Sequence, residues 1–190
     1  ANGTDRVTVT YTNTSDSDVL VPLLSLEAEN ALLRPNGESQ FDETQIQFLA
    51  LSDNGDAGVL APGESNTFTA EFIPDGTADQ EINFSVDSLD SGQVIDWESL
   101  RESSRPDDIP PEAWNKVYDN FLAEVGTTVE DYQQLLIENA DYLSELGESE
   151  PNADNLLAFE FQQASDFGSI TQRYSLGSLV AIANLLAIAT

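Results

Sequence analysis

Between residues 81 and 126 the chain reads EINFSVDSLDSGQVIDWESLRESSRPDDIPPEAWNKVYDNFLAEVG, and the period of its apolar residues changes once along the way. Ile82, Phe84 and Val86 alternate with polar residues, the pattern of a half-buried strand. Beyond Ile95, Trp114, Val117, Phe121, Leu122 and Val125 recur at helical spacing. Pro110-Pro111 stands where a helix can begin, because a missing amide donor costs nothing in the first turn. Gly126 is placed to end that helix in a left-handed conformation. The change of period near residue 95 predicts strands before it and helices after it.

Working toward the N-terminus, short Val-, Thr-, Phe- and Ile-rich runs are separated by Asn, Asp, Gly and Pro. Val7, Val9 and Tyr11 share one face of a first strand. Residues 19–27 read as a second strand, with Pro22 arguing for an edge or a bulge. Residues 45–51 direct Ile46, Phe48 and Ala50 inward, and Val59-Leu60, residues 67–72 with Phe68 and Phe72, and residues 81–86 follow. About six strands at this spacing predict a small antiparallel sandwich. Toward the C-terminus, Trp97 and Leu100 mark a short helix over residues 96–103. Thr127-Thr128-Val129-Glu130 fits a capping box ahead of a long stripe that includes Tyr132, Leu136, Ala140 and Leu143 and ends at Gly147. A further helix starts at Pro151-Asn152 and carries Leu156, Leu157 and Ala164. The division expected is an immunoglobulin-like β-sandwich over 1–95, a helical hairpin or bundle packed on it over 96–168, and an apolar segment over 169–190, an α+β chain.

Charge narrows the function. The 190 residues hold 35 acidic and 6 basic side chains, a formal net charge of −29. Nucleic acid is excluded as a partner and an anionic membrane surface is disfavoured, because both call for a basic face that this chain lacks. The chain contains no His, Cys or Met, which removes imidazole bases, thiolate nucleophiles, disulfides and thiolate zinc sites. A hydrophobic content of 40% is too high for a disordered acidic tail. Carboxylates this dense repel one another, and salt or divalent cations relieve the repulsion; both point to a secreted or cell-surface setting. Ala1-Asn2-Gly3 in place of an initiator Met suggests a piece of a longer or processed chain. The apolar run Leu179 to Ala189 is too short to span a bilayer and is expected to be core or an oligomer contact.

The order Val9-Thr10-Tyr11-Thr12-Asn13-Thr14, Val21-Pro22-Leu23-Leu24, Ala50-Leu51-Ser52, Ala57-Gly58-Val59-Leu60, Pro62-Gly63, Ile95-Asp96-Trp97, Arg105-Pro106, Ile109-Pro110, Ala113-Trp114 and Arg173-Tyr174-x-Leu176-Gly177 resembles a module of very large bacterial exported and surface repeat proteins. In that family the module lies between adhesion-like β-domains and Rhs-type tyrosine-aspartate repeats. The likeness runs over residues 7–177 and departs from the family pattern at Ser178-Leu179-Val180. It implies a structural or spacing role, neighbouring domains of the same protein as partners, and no catalytic residue.

Among reactive groups only carboxylates are abundant. An acid pair could hydrolyse glycosides across a cleft lined by Trp97 or Trp114, but with so many carboxylates sequence spacing selects no pair. A Ser-Lys dyad would have to use Lys116, the one lysine, which falls on a polar helix face. Arg105 is expected to anchor helices to strands through a carboxylate such as Asp96. Calcium is the one cofactor suggested: Asp53, Asn54 and Asp56 offer oxygens around Gly55 in a single turn, and Asp16-x-Asp18 offers two carboxylates. Neither matches an EF-hand loop, and a plain Asp/Asn hairpin turn is the competing reading. The expected function is a non-catalytic spacer or interaction module of an adhesin-like protein, with a self-assembling fibre or surface-layer subunit joined by strand addition as the alternative.

Overall fold

The computed structural model describes residues 4–54, 56–76 and 80–165. The expectations for 169–190, including a homo-oligomer contact there, lie outside the described residues. Among the described residues, eight strands precede four helices: β1 (Asp5–Thr12), β2 (Val19–Leu20), β3 (Leu23–Glu29), β4 (Ala31–Pro35), β5 (Gln45–Leu49), β6 (Val59–Leu60), β7 (Ser65–Pro74) and β8 (Asn83–Ser88), then α1 (Trp97–Leu100), α2 (Pro111–Glu124), α3 (Val129–Glu145) and α4 (Ala153–Ala164). The chain is therefore α+β, and every strand pairing is antiparallel. One three-stranded sheet has the order β1-β7-β4, another β5-β3-β8, and β2 pairs with β6.

Pro22 interrupts what read as a single strand over 19–27. It lacks an amide donor, so the ladder stops there. Val21 N donates to Gly58 O at 3.0 Å on one side of the break, and Pro22 O accepts from Ala50 N at 3.1 Å on the other. β2 thus pairs with β6 while β3 joins a different sheet. The turn at Asn30, whose φ is 65°, carries the chain from β3 into β4, a strand with no counterpart in the sequence reading. Both three-stranded sheets contribute to one apolar cluster: Leu26, Leu33, Ile46, Phe48, Phe68 and Ala70. Phe48 and Phe68 stack with their ring centres 4.0 Å apart. β5 is buried on both faces, since Leu49 belongs instead to the cluster that holds the helices.

That second cluster joins the two halves of the chain. Val21, Leu23, Leu49, Leu51 and Leu60 share it with Trp114, Tyr118, Phe121, Tyr132, Leu136 and Phe161. Polar ties run the same way: Gly58 N donates to Asp141 Oδ1 at 3.1 Å, Gln133 Nε2 to Val21 O at 2.6 Å and Leu49 N to Pro151 O at 2.9 Å. α4 lies against α2, α3 and β5. Trp114 meets Tyr118 and Phe161, and Trp97 meets Phe121 and Tyr132, so the aromatic centre is built by the helices themselves and not by Trp114 alone against the strands. The capping box sits one residue later than read: Thr128 Oγ1 accepts from Asp131 N at 3.2 Å, and Asp131 Oδ2 accepts from Thr128 N at 2.9 Å. Arg105 reaches Glu102 at 3.3 Å rather than Asp96, whose carboxylate caps α1 by accepting from Ser99 N. Among the described residues, no helix is long and apolar enough to cross a membrane.

Candidate functional site

The turn after β5 contains Asp53, Asn54 and Asp56, all exposed. The Ser52 hydroxyl organises it, lying 2.8 Å from Asn54 O, accepting from Asn54 N at 3.0 Å and bonding the Glu64 carboxylate, which also accepts from Ala61 N at 2.9 Å. These bonds, the one from Ser52 foremost, hold the Glu64 carboxyl below its ordinary range. Tyr11, which donates to Leu51 O at 2.9 Å, is pushed up to about 12 by burial and then by the charges of Asp53 and Glu64. Asp53 and Glu64 thus both act on Tyr11, but Glu64 already receives donors from Ser52 and Ala61. Gly55 lies outside the described residues.

A groove of about 460 Å³ opens between α2, α3 and α4, with Glu124, Glu138 and Glu160 on its walls. Glu160 Oε2 accepts from Asn139 Nδ2 at 2.9 Å, and burial raises its carboxyl. Trp97 and Trp114 do not line this groove; they are 3% and 0% exposed inside the core. Lys116 is exposed on α2.

The densest polar feature is where β5, the loop before it and the start of α4 meet. Leu33 N donates to Glu43 O, and an antiparallel bridge joins Phe48 to Asn152. These two contacts press the loop and the N-terminal turn of α4 onto the strands. Asn152 caps α4, its Oδ1 accepting from Asp154 N at 2.8 Å. Glu150 accepts from Asn152 N at 2.9 Å and from Asn155 Nδ2 at 3.0 Å. Glu43 and Asp154 are buried, as is Gln47, which precedes Phe48, the β5 residue bridged to Asn152 at the start of α4. Burial pushes Glu43 up to about 9, helped by the charges of Asp154, Glu38 and Asp42. Burial likewise raises Asp154 to about 7, with Glu38 adding to it. No Arg or Lys among the described residues acts on either group.

Glu43 and Asp154 escaped sequence reasoning because neither looks unusual alone. An Asp in the first turn of a helix is the ordinary partner of its N-terminal dipole, and Glu43 follows a polar loop. Only the fold places them together. Among the described residues, no group of three acidic side chains is arranged to hold a metal ion. Compared with known proteins, the chain matches no family model, no curated protein and no solved structure.

Proposed function

We propose that this chain is a non-catalytic structural or spacing module of a large exported or cell-surface bacterial protein, in which an immunoglobulin-like sandwich is braced by helices. The sandwich reading is supported by the cluster that β3, β4, β5 and β7 share across two sheets. The observation that carries the spacer role is the bracing itself: the contacts from Asp141, Gln133 and Pro151 to Gly58, Val21 and Leu49 lie on the cluster that joins strands to helices. A body tied in this way transmits force between its ends without a hinge.

Pulling the chain by handles at residues 5 and 165 tests this. The expected trace is a single unfolding event for strands and helices together. Helices that peel away at low force and leave the strands intact would overturn the bracing argument.

A second reading, assembly by strand addition, is favoured by β8. This strand pairs with β3 alone among the described residues and exposes Phe84 and Val86 at 37% and 40%. An unpaired apolar edge is a template for another strand. Light scattering separates the two: a monomer at every concentration supports the spacer, whereas a concentration-dependent mass that Val86→Lys abolishes supports assembly.

A further inference from the structure

Six buried side-chain nitrogen or oxygen atoms among the described residues have no hydrogen-bond partner, and five of them belong to Glu43 (Oε2), Gln47 (Nε2 and Oε1), Asp154 (Oδ1) and Asn155 (Oδ1). Glu43, Gln47 and Asp154 are 4%, 2% and 8% exposed. Each such atom costs about 1–3 kcal/mol if nothing meets it, so their concentration at one junction calls for a ligand. Gln47 alternates with Ile46 and Phe48, which enter the strand core, and shares its side of β5 with Leu49, which packs among the helices. Its amide is therefore directed toward α4. Asn155 holds Glu150 through Nδ2 at 3.0 Å, leaving Oδ1 as its unmet acceptor.

We infer that this junction is a divalent-cation site suited to calcium, in which the Glu43 and Asp154 carboxylates and the amide oxygens of Gln47 and Asn155 supply the protein's share of the ligands. Four of the five unmet atoms are oxygens, the donor type of a hard cation. Glu38 and Asp42 add negative charge beside Glu43, and Glu38 does so beside Asp154. A bound water would meet some of these atoms; a dication would displace the carboxyl protons and be balanced by the two carboxylates it leaves. Calcium takes about six to eight oxygens, amide carbonyls included, in flexible geometry, whereas magnesium demands a tight octahedron and keeps its waters. No three acidic side chains group here, so two carboxylates, two amides and water complete the shell. Such a charge count places affinity at about 10⁻⁴–10⁻³ M, the range of extracellular calcium modules. The inference rests on the packing of this junction alone and stands apart from the spacer reading.

Calorimetry on the chelator-stripped full chain, with calcium and magnesium at equal ionic strength, tests it. One calcium per chain is expected, with a higher melting temperature and a smaller response to magnesium. Terbium offers a second readout, since Tyr132 lies close enough to Asp154 for that charge to act on its hydroxyl and can sensitise emission. Glu43→Gln and Asp154→Asn should each weaken calcium about tenfold or more by removing a charged ligand. Gln47→Leu should weaken calcium while stabilising the ion-free chain, and it carries the test if the acidic variants fail to fold. Asp53→Asn with Asp56→Asn should change nothing. Absence of calcium binding, equal responses to both ions, or binding that survives Gln47→Leu and the acidic variants would overturn the site.

Discussion

Glu43 and Asp154 keep their protons in the folded chain at pH values where the unfolded chain has lost them, because burial raises Glu43 to about 9 and Asp154 to about 7. The native state then binds more protons than the unfolded state, so stability falls as pH rises. Their contribution is fully present below the unfolded carboxyl range and is lost between about pH 4 and 9. Glu71 and Asp131 act in the opposite sense. Hydrogen bonds from Arg34 hold Glu71 low, and backbone amides of Thr127 and Thr128 hold Asp131 low, so their contribution is lost as pH falls through the carboxyl range. Without divalent ions the melting temperature should therefore be highest near pH 5 and decline toward pH 9, and Glu43→Gln should flatten the decline. A melting curve unchanged between those pH values would show that the buried carboxyls are not protonated. Gly58 gives a second prediction at this scale. A Cβ there would stand 2.5 Å from Ile137 Cγ2, and the neighbouring Asp141 bond fixes the backbone. Gly58→Ala should cost about 1–3 kcal/mol as an overpacking change, measured by urea denaturation.

The α2–α3 connection shows how a helix boundary is set by a few bonds. Gly126 ends the first helix with φ 72°, and a Cβ on it would fall 2.5 Å from Asp131 Cγ. Asp131 in turn accepts from Thr127 N and Thr128 N, both at 2.9 Å. Thr128→Ala removes the reciprocal bond and should destabilise the chain by about 0.5–2 kcal/mol, read as a lower denaturation midpoint with an unchanged slope. The helices were legible in sequence because their caps and apolar stripes are local. Tyr118 and Phe161, both fully buried, were harder to place: each widens a stripe whose partner helix the sequence does not reveal. Among strands, β4 escaped notice because it is short and ends in Pro35, and because its burial depends on β7 and on Glu43 across from Leu33. β8 erred the other way. Its alternation predicted burial, yet all six residues are exposed, since the strand lies at the edge of its sheet.

Across the whole molecule, a net charge of −29 sets a repulsion that packing must overcome. Raising NaCl from about 10 mM to 1 M shortens the Debye length from roughly 30 to 3 Å and should raise the melting temperature; a flat or falling response would mean that repulsion does not limit stability. The shared cluster leads to another expectation. Residues 96–165 expressed alone would lack Val21, Leu23, Leu49 and Leu60, which now complete the cluster with the helices. The fragment should melt without cooperativity by circular dichroism, and a sharp transition would establish two independent units.

Sequence by itself determined the excess of negative charge, the change from strands to helices near residue 95, and the helix caps to within a residue, because the helix signals depend on neighbours within a turn. Tertiary structure alone decided that Pro22 divides one apolar run between two sheets, that β5 is buried on both sides, and that Glu43 and Asp154 are buried where the charge of one acts on the other. Those outcomes depend on which surfaces meet, and burial is what turns an ordinary loop Glu and a first-turn Asp into an interacting pair.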